Sequence, residues 1–413
     1  MSGALPSNSQ PGDLLSGRER AVYIVILGTL TALGPFTVDM YLPAFPSIET
    51  QFNVDAAQVQ LTLTGTMVGF ALGQLIVGPL SDRLGRKNPL VIAAIVHIGA
   101  SIGAAVAPTI VILGVFRVLQ GFGAASSGVV SMAMVRDLFS GRRLVQMMSR
   151  LALVNGLAPV IAPIVGSQLL AVMNWRGIFW VLAGYGIFVA VAVAFFIKET
   201  LPTQIRKADT RTLRDRYSSL LHDRTYLGII AMAGLNSTAL FAYLSASPFL
   251  FQQVFGMSEQ QYGYAFAINS VAVIIGVQTS SRLLHRGIIA PQWVLAFTTV
   301  TQFMLGALMV ILWLAGAGMW GTLIPLWLFI MMCGFTFPTV QYLALVDHGS
   351  EAGTAASFLG AINFGMAGIL TPLIGVLGVD TAIPMAGMMG GATLLSAGVL
   401  WIVVRPKQLP ASI

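Results

Sequence analysis

Apolar runs of about twenty residues recur along almost the whole chain, and each is followed by a polar break. A helix needs about 20 apolar residues to cross the ~30 Å hydrocarbon core of a membrane. Inside that core the backbone N–H and C=O groups must be paired within the helix itself. We therefore predict twelve transmembrane helices, at 21–44, 59–80, 89–107, 109–134, 147–170, 176–197, 225–250, 260–284, 292–314, 321–346, 353–376 and 383–404.

The composition excludes a soluble globular protein. Hydrophobic residues make up 56% of the 413 residues and charged residues only 9%, against roughly 25% charged in soluble domains. The chain is therefore predicted to be an all-α integral membrane protein. The formal net charge of +7 does not indicate nucleic-acid binding, because the basic residues are distributed over short loops between apolar runs.

The distribution of Lys and Arg predicts the orientation. Basic residues occur before the first apolar run, in the loops after the second, fourth, sixth and eighth, and after the twelfth, whereas the alternate loops hold Arg176 and several acids. Loops rich in Lys and Arg stay on the cytoplasmic side of a membrane. We therefore expect both chain termini to be cytoplasmic.

One long polar stretch, residues 198–224, divides the chain into two sets of six helices. The two sets carry a faint repeat, since Ser81-Asp82-Arg83-Leu84 follows the second helix and Ser280-Ser281-Arg282-Leu283 follows the eighth. Paired halves of this kind are typical of secondary transporters. The predicted organisation is a tail (1–20), a first half (21–197), a linker (198–224), a second half (225–404) and a second tail (405–413).

Three motifs in the first half carry a family resemblance. Residues 78–87 read GPLSDRLGRK, residues 117–125 read RVLQGFGAA, and residues 39–46 read DMYLPAFP. The first two strings resemble signatures of the major facilitator superfamily. The third is similar to the bicyclomycin and chloramphenicol resistance group of its drug:proton antiporters. Residues 158–167 are a degenerate form of the antiporter motif, because Ala158 and Ser167 stand where it has Gly.

This resemblance implies the major facilitator fold and a bacterial plasma-membrane exporter of small, mostly lipophilic drugs, driven by protons through alternating access. Its partners would be drug, protons and the lipid bilayer, with no nucleic acid, no cofactor and a monomeric state. The resemblance also implies a conformational latch, carried by Gly78, Asp82, Arg83, Gly85 and Arg86. The alternative for this loop is simple charge-dependent topology, which leaves Asp82 unexplained.

Asp39 and Arg117 are the charged residues well inside the predicted helices. Charges at this depth are costly and usually functional. Their predicted depths differ by only ~5 Å at 1.5 Å per residue, so we expect the two side chains to pair. Asp39 is predicted to exchange a proton for a drug, with Arg117 as its coupling partner. The alternative is a fixed ion pair that holds two helices together.

A substrate pocket is expected near the membrane midplane, between the halves. Its candidate residues are apolar, aromatic or amide side chains, as lipophilic drugs require. They are Phe36, Asp39, Asn155, Asn236, Phe241, Tyr243, Tyr262, Phe266 and Asn269. His97 is a lone intramembrane histidine, which we interpret as a hydrogen-bonded packing residue, with a proton relay as the alternative.

Other classes of protein are disfavoured by missing motifs. The single cysteine, Cys333, lies in an apolar run, and the sequence has no Cys/His cluster with metal spacing. It lacks the phosphate-binding loop of ATP-driven pumps, and we find no reactive constellation for an intramembrane enzyme or sensor. The remaining alternative is a proton-coupled transporter of a metabolite such as a sugar or an amino acid.

Overall fold

A computed structural model describes residues 12, 16–201, 218, 220–348 and 352–408. These residues hold twelve helices long and apolar enough to cross a membrane, which confirms the predicted fold class. The helices are α1 (Gly17–Asp39), α2 (Ala56–Leu84), α3 (Lys87–Ala105), α4 (Ile110–Leu138), α5 (Gly141–Leu170), α6 (Trp175–Phe196), α7 (Arg224–Phe249), α8 (Glu259–His285), α9 (Pro291–Leu314), α10 (Gly318–Leu345), α11 (Ala352–Leu370) and α12 (Ile383–Val399).

Several helices are longer than the apolar runs that predicted them, because local capping sets their ends. Helix α2 begins at a capping box formed by Asp55 and Gln58, and it ends at Leu84, where Gly85 follows as the capping residue with a φ of 92°. Such a positive φ favours glycine. Helices α3 and α4 are separated where the sequence predicted, and the side chain of Thr109 caps Ile112 N at the start of α4.

The end of α1 differs from the prediction. The helix ends at Asp39, and the chain continues through a 3₁₀ turn (Leu42–Ala44) into a short helix, Phe45–Phe52. Pro43 lies in the 3₁₀ turn and Pro46 in the first turn of the short helix. Proline has no backbone N–H and cannot continue a regular helix. Asp39 is therefore the last residue of α1 rather than an interior one.

The two six-helix halves, α1–α6 and α7–α12, repeat the same close helix contact. In the first half, a Cβ on Gly69 of α2 would overlap Val118 O of α4. In the second half, a Cβ on Gly276 of α8 would overlap Met331 O of α10. Small residues let membrane helices approach closely. The faint sequence repeat thus corresponds to a repeated packing of equivalent helices.

The halves meet along α2 against α11 and along α5 against α8. Because the chain crosses the bundle an even number of times, both of its ends lie on the same side. We call this side the termini side and the opposite side the distal side. Among the described residues, six side-chain hydrogen bonds join the halves, and all lie between the middle of the bundle and the distal side. The interface is therefore tied together on the distal side.

The predicted domain boundaries stay predictions. Helix α6 ends at Phe196 and α7 begins at Arg224, which brackets the predicted linker. Most of the linker (202–217 and 219) lies outside the described residues, as do 1–11 and 13–15 of the first tail and 409–413 of the second. The orientation of the bundle also stays a prediction.

Candidate proton and substrate site

Arg117 is fully buried on α4 and binds the end of α1. Its Nη1 donates to Thr37 O at 2.9 Å and to Gln120 Oε1. The guanidinium carbon lies 4.5 Å from the centre of the Tyr41 ring, a cation–π distance. Its Nε and Nη2 have no partner among the described residues. Arg117 thus keeps its charge in an aromatic pocket with only part of its hydrogen-bonding capacity used.

The predicted pairing of Asp39 with Arg117 is wrong in this conformation. Within the described part of the chain, Asp39 has no ion pair and no hydrogen bond. The depth argument ignored the direction of the side chains around α1. Thr37 and Asp39 are two residues apart, so they point about 200° apart around the helix axis. The Thr37 side chain faces His97 within the first half, so the Asp39 side chain leaves α1 on roughly the opposite side.

A hydrogen-bonded network surrounds Arg117. Thr37 Oγ1 lies 2.9 Å from His97 Nε2, and Gln120 Nε2 donates to Ser101 Oγ at 2.8 Å. Ser101 Oγ in turn donates to His97 O at 2.7 Å. His97 is completely buried, and its Nδ1 has no partner among the described residues. The contacts agree with a hydrogen-bonded packing histidine, and its role in proton transfer stays a question for experiment.

Asp39 lies at the end of α1, near the second half of the protein. It is buried, with 5% of its surface exposed. The 3₁₀ turn that follows it, Leu42–Ala44, packs against α7 and α8, the helices that carry Tyr243 and Tyr262. A charged carboxylate in such a setting is costly unless a proton, a cation or hydrogen-bond donors compensate it.

The structure brings together four of the predicted substrate residues next to Asp39. Asn269 Nδ2 donates to Tyr243 OH at 3.0 Å, and the rings of Tyr243 and Phe266 stack with centroids 5.5 Å apart. Tyr262 OH lies 2.9 Å from Ser247 Oγ. This tyrosine cluster (Tyr243, Ser247, Tyr262, Phe266 and Asn269) is a buried group of aromatic rings and a few polar groups on α7 and α8.

The other four predicted substrate residues lie apart from this cluster. Asn236 accepts a hydrogen bond from Gln302 on α9 at 3.0 Å. Phe36 packs on a ring within the first half, at 5.6 Å from Tyr185. Asn155 is exposed. Phe241 lies 6.1 Å from the ring of Phe364.

Phe241 belongs to an aromatic contact that joins the halves. Phe364 of α11 also lies 4.8 Å from Phe70 of α2. Phe70 and Phe364 were not predicted, because a phenylalanine in an apolar run carries no signal that separates a lining residue from a packing residue. Ser247 was missed for the same reason, as one small polar residue among many. Tyr41 lies in the motif at 39–46, but only the folded structure shows that it contacts Arg117.

The predicted latch residues form a charged network around Arg86. Its Nη1 donates to Asp82 Oδ1 at 2.6 Å and to Ser81 Oγ at 2.8 Å. Its Nε donates to Asp137 Oδ2, at the end of α4, at 2.8 Å. Glu199, beyond α6, accepts from Arg86 N at 2.9 Å. The network therefore ties together α2, α3, α4 and the end of α6 within the first half.

Arg86 rather than Arg83 is the centre of this network. Burial lowers the pKa of Arg86, but the hydrogen bond and charge of Asp137, together with Asp82, outweigh burial and raise it above its ordinary value. Arg86 is thus charged at every physiological pH. Arg83 is exposed. Gly78 faces the other half, since a Cβ there would lie 3.0 Å from Ser357 Oγ on α11.

The described residues contain no group of three His, Cys, Asp or Glu side chains placed to hold a metal ion. Cys333 is buried and accepts a hydrogen bond from Gln302 Nε2 at 3.1 Å, which agrees with a packing role.

Comparison with known proteins places the chain in a family. Residues 27–372 match the profile of the Major Facilitator Superfamily. The chain is 35% identical to an uncharacterized MFS-type transporter of Bacillus subtilis, over 91% of this chain and 93% of that one. It is 33% identical to a bicyclomycin resistance protein homolog of Haemophilus influenzae, over 91% and 94% of the two chains.

The fold is also that of solved transporters. A structure of the xylose transporter of E. coli in a partially occluded inward-open conformation superposes with a TM-score of 0.75. That superposition covers 95% of this chain and 98% of the other, at 12% sequence identity. Profile, relatives and fold agree that the chain belongs to the Major Facilitator Superfamily, as a multi-pass membrane transporter of small molecules rather than an enzyme.

Proposed function

We propose that the protein is a proton-coupled exporter of small, mostly lipophilic drugs in the plasma membrane of a bacterium. The observation that carries the proposal is Asp39, a buried carboxylate without an ion-pair partner among the described residues, at the end of α1 next to a turn that packs against the two helices of the tyrosine cluster. A site of this kind can take up a proton or a cationic drug, but holding a bare negative charge is costly.

Exchange of a proton for a drug at Asp39 would couple the entry of protons to the export of the drug. When a drug displaces the proton, the carboxylate passes from its neutral to its charged form, so drug and proton compete for one group. One proton that enters across 100 mV releases about 2.3 kcal/mol. That energy supports about a 40-fold gradient of a neutral drug. Arg117 would act as a positioning residue, because a guanidinium does not give up its proton.

The surroundings of Asp39 support an aromatic rather than a strongly polar substrate. Tyr243 and Phe266 present stacked rings, and the polar groups of the cluster largely satisfy one another. The resistance-protein relative supports a drug as substrate. The hydroxyl and amide groups of the cluster also fit a small polar metabolite, which stays the second candidate.

Alternating access would require the six distal hydrogen bonds between the halves to break. Because these bonds lie on the distal side, this conformation would bind substrate from the termini side. If the termini are cytoplasmic, as the basic loops predict, that side is the one from which an exporter takes up its drug.

The test is substrate-triggered proton movement in liposomes that carry the purified protein, with a pH indicator inside. Chloramphenicol-like and bicyclomycin-like compounds are compared with sugars and amino acids under the same imposed proton gradient. Proton release that depends on the drugs alone supports the proposal. Release with a sugar or an amino acid, and none with any drug, would establish the metabolite transporter instead.

A further inference from the structure

The end of α12 forms a small pocket on the termini side. Past α12 the chain makes a π-helical turn, Leu400–Val404, closed by the bond from Arg405 N to Leu400 O at 2.8 Å. Arg405 then adopts a φ of 56°, unusual for a residue with a side chain, and this turns the backbone sharply. The resulting pocket has a volume of about 250 Å³ and is lined by Trp401, Arg405, Pro406 and Lys407.

Positive charge is concentrated at this pocket. Arg224, at the start of α7, donates from Nη2 to Ile402 O at 2.9 Å, and Arg405 Nε donates to the same oxygen at 3.4 Å. Two guanidinium groups therefore share one carbonyl oxygen. Arg224, Arg405 and Lys407 pair with no carboxylate within the described residues. Cations this close repel one another, and an anion with several oxygens would bridge them.

The pocket also lies beside aromatic surface of the kind found where a membrane ends. Trp401 and Trp293, at the start of α9, have ring centroids 6.4 Å apart and are 47% and 44% exposed. Tryptophan is enriched at the level of lipid headgroups. On the membrane side of the tryptophans, α12 presents the exposed apolar side chains of Leu394 and Leu395. A basic pocket thus continues directly into an apolar strip.

We propose that this pocket, the Trp401 pocket, binds the phosphate of an anionic phospholipid, whose acyl chains follow the apolar strip of α12. Basic pockets between membrane helices bind such headgroups. Free inorganic phosphate shares the headgroup chemistry but has no chains for the strip. The proposal does not rest on the identity of the transported substrate, since the pocket lies on the outer surface of the bundle and not between the halves.

The experiment measures lipid retention by the purified full chain in detergent, by native mass spectrometry. Phosphatidylglycerol is the probe, and phosphatidylcholine and inorganic phosphate are the comparison ligands. The test variant is Arg405→Gln/Lys407→Gln. The matched control is Arg282→Gln/Arg286→Gln, which removes two exposed basic residues from the end of α8 on the same side of the bundle.

We expect wild type and the control to retain phosphatidylglycerol over phosphatidylcholine. The test variant should lose roughly fivefold in affinity for each basic side chain removed, with its melting temperature in lipid-free detergent unchanged. Lys407→Gln alone should show about half of this loss on a logarithmic scale. Unchanged retention in the test variant, an equal loss in the control, or equal stabilisation by inorganic phosphate would each overturn the proposal.

Discussion

At the scale of single residues, Asp39 and Arg117 do not form the ion pair that we predicted from the sequence. Arg117 binds α1 through Thr37 O and the Tyr41 ring, while Asp39 lies at the end of α1, near the other half. The arginine therefore carries a buried charge that pairs with no carboxylate in the part of the chain that the structure describes. Charges inside membrane helices are costly and usually functional, so we propose a functional rather than a stabilising role for Arg117.

Replacing Arg117 tests this interpretation. Arg117→Met removes the cost of burying a charge but leaves Thr37 O and Gln120 Oε1 without their donor. Because these effects oppose each other, the unfolding free energy, measured by thermal unfolding in detergent, should fall by less than about 3 kcal/mol. Drug-dependent proton release should fall by about tenfold or more, equivalent to 1.4 kcal/mol. A loss of several kcal/mol in stability would instead identify Arg117 as a structural anchor.

A second prediction concerns the hydroxyl oxygen of Tyr243 in the tyrosine cluster. Tyr243→Phe removes the hydroxyl that accepts from Asn269 and leaves a buried donor unpaired, at a cost of about 1–3 kcal/mol. Drug affinity, measured by fluorescence quenching or calorimetry, should weaken by about tenfold. The control is Tyr342→Phe, because Tyr342 is half-buried on α10, lies outside the cluster and makes no hydroxyl hydrogen bond among the described residues. Equal effects of both substitutions would show that Tyr243 does not contact the drug.

At the scale of helices, close glycine contacts set the packing of α4. A Cβ on Gly121 would overlap Thr66 O of α2, whereas nothing lies within 4 Å of a Cβ on Gly128. Both glycines lie in the same helix, so they share the helix propensity gain of about 1 kcal/mol for Gly→Ala. The two positions therefore differ in packing alone.

We expect Gly121→Ala to destabilise the protein by about 1–3 kcal/mol, the range for overpacking a filled interface. Gly128→Ala should be neutral or stabilising. Thermal unfolding of the two variants side by side gives the comparison. If Gly121→Ala is as stable as Gly128→Ala, α2 and α4 do not approach as closely as described.

The helices were predictable from the sequence because lipid imposes one length and one secondary structure on a spanning segment. The partners of side chains were not, because hydropathy fixes the depth of a residue but not its direction around the helix. Asp39 shows this limit, because its similar predicted depth to Arg117 suggested an ion pair that the structure does not contain among its described residues. Arg86 shows a second limit. The motif identified its loop from the sequence, but the pairing with Asp137 of α4 depends on how the helices pack.

At the scale of the whole molecule, the distal hydrogen bonds hold one conformation. Gln253 Nε2 on the second half donates to Glu49 Oε2 on the first at 2.6 Å, near the distal surface. Gln253→Glu would place two carboxylates against each other. Exposed charges interact by up to about 1 kcal/mol. The ratio of molecules open on the distal side to molecules closed there should therefore rise by up to about fivefold.

Spin labels at Thr50 and Val254, one in each half, report this opening as a longer distance by pulsed electron resonance. Gln253→Met removes the hydrogen bond without adding charge and should open the distal side less than Gln253→Glu does. Identical distance distributions in all three proteins would show that this contact does not contribute to the closed state.

We propose that Asp39 carries the coupling proton. Its most direct test is uphill accumulation of a transported drug by everted vesicles with an acidic interior, for wild type, Asp39→Asn and Asp39→Glu. We expect accumulation by wild type, partial accumulation by Asp39→Glu, which keeps a carboxylate, and only downhill exchange by Asp39→Asn. Uphill accumulation by Asp39→Asn at the level of wild type would contradict it.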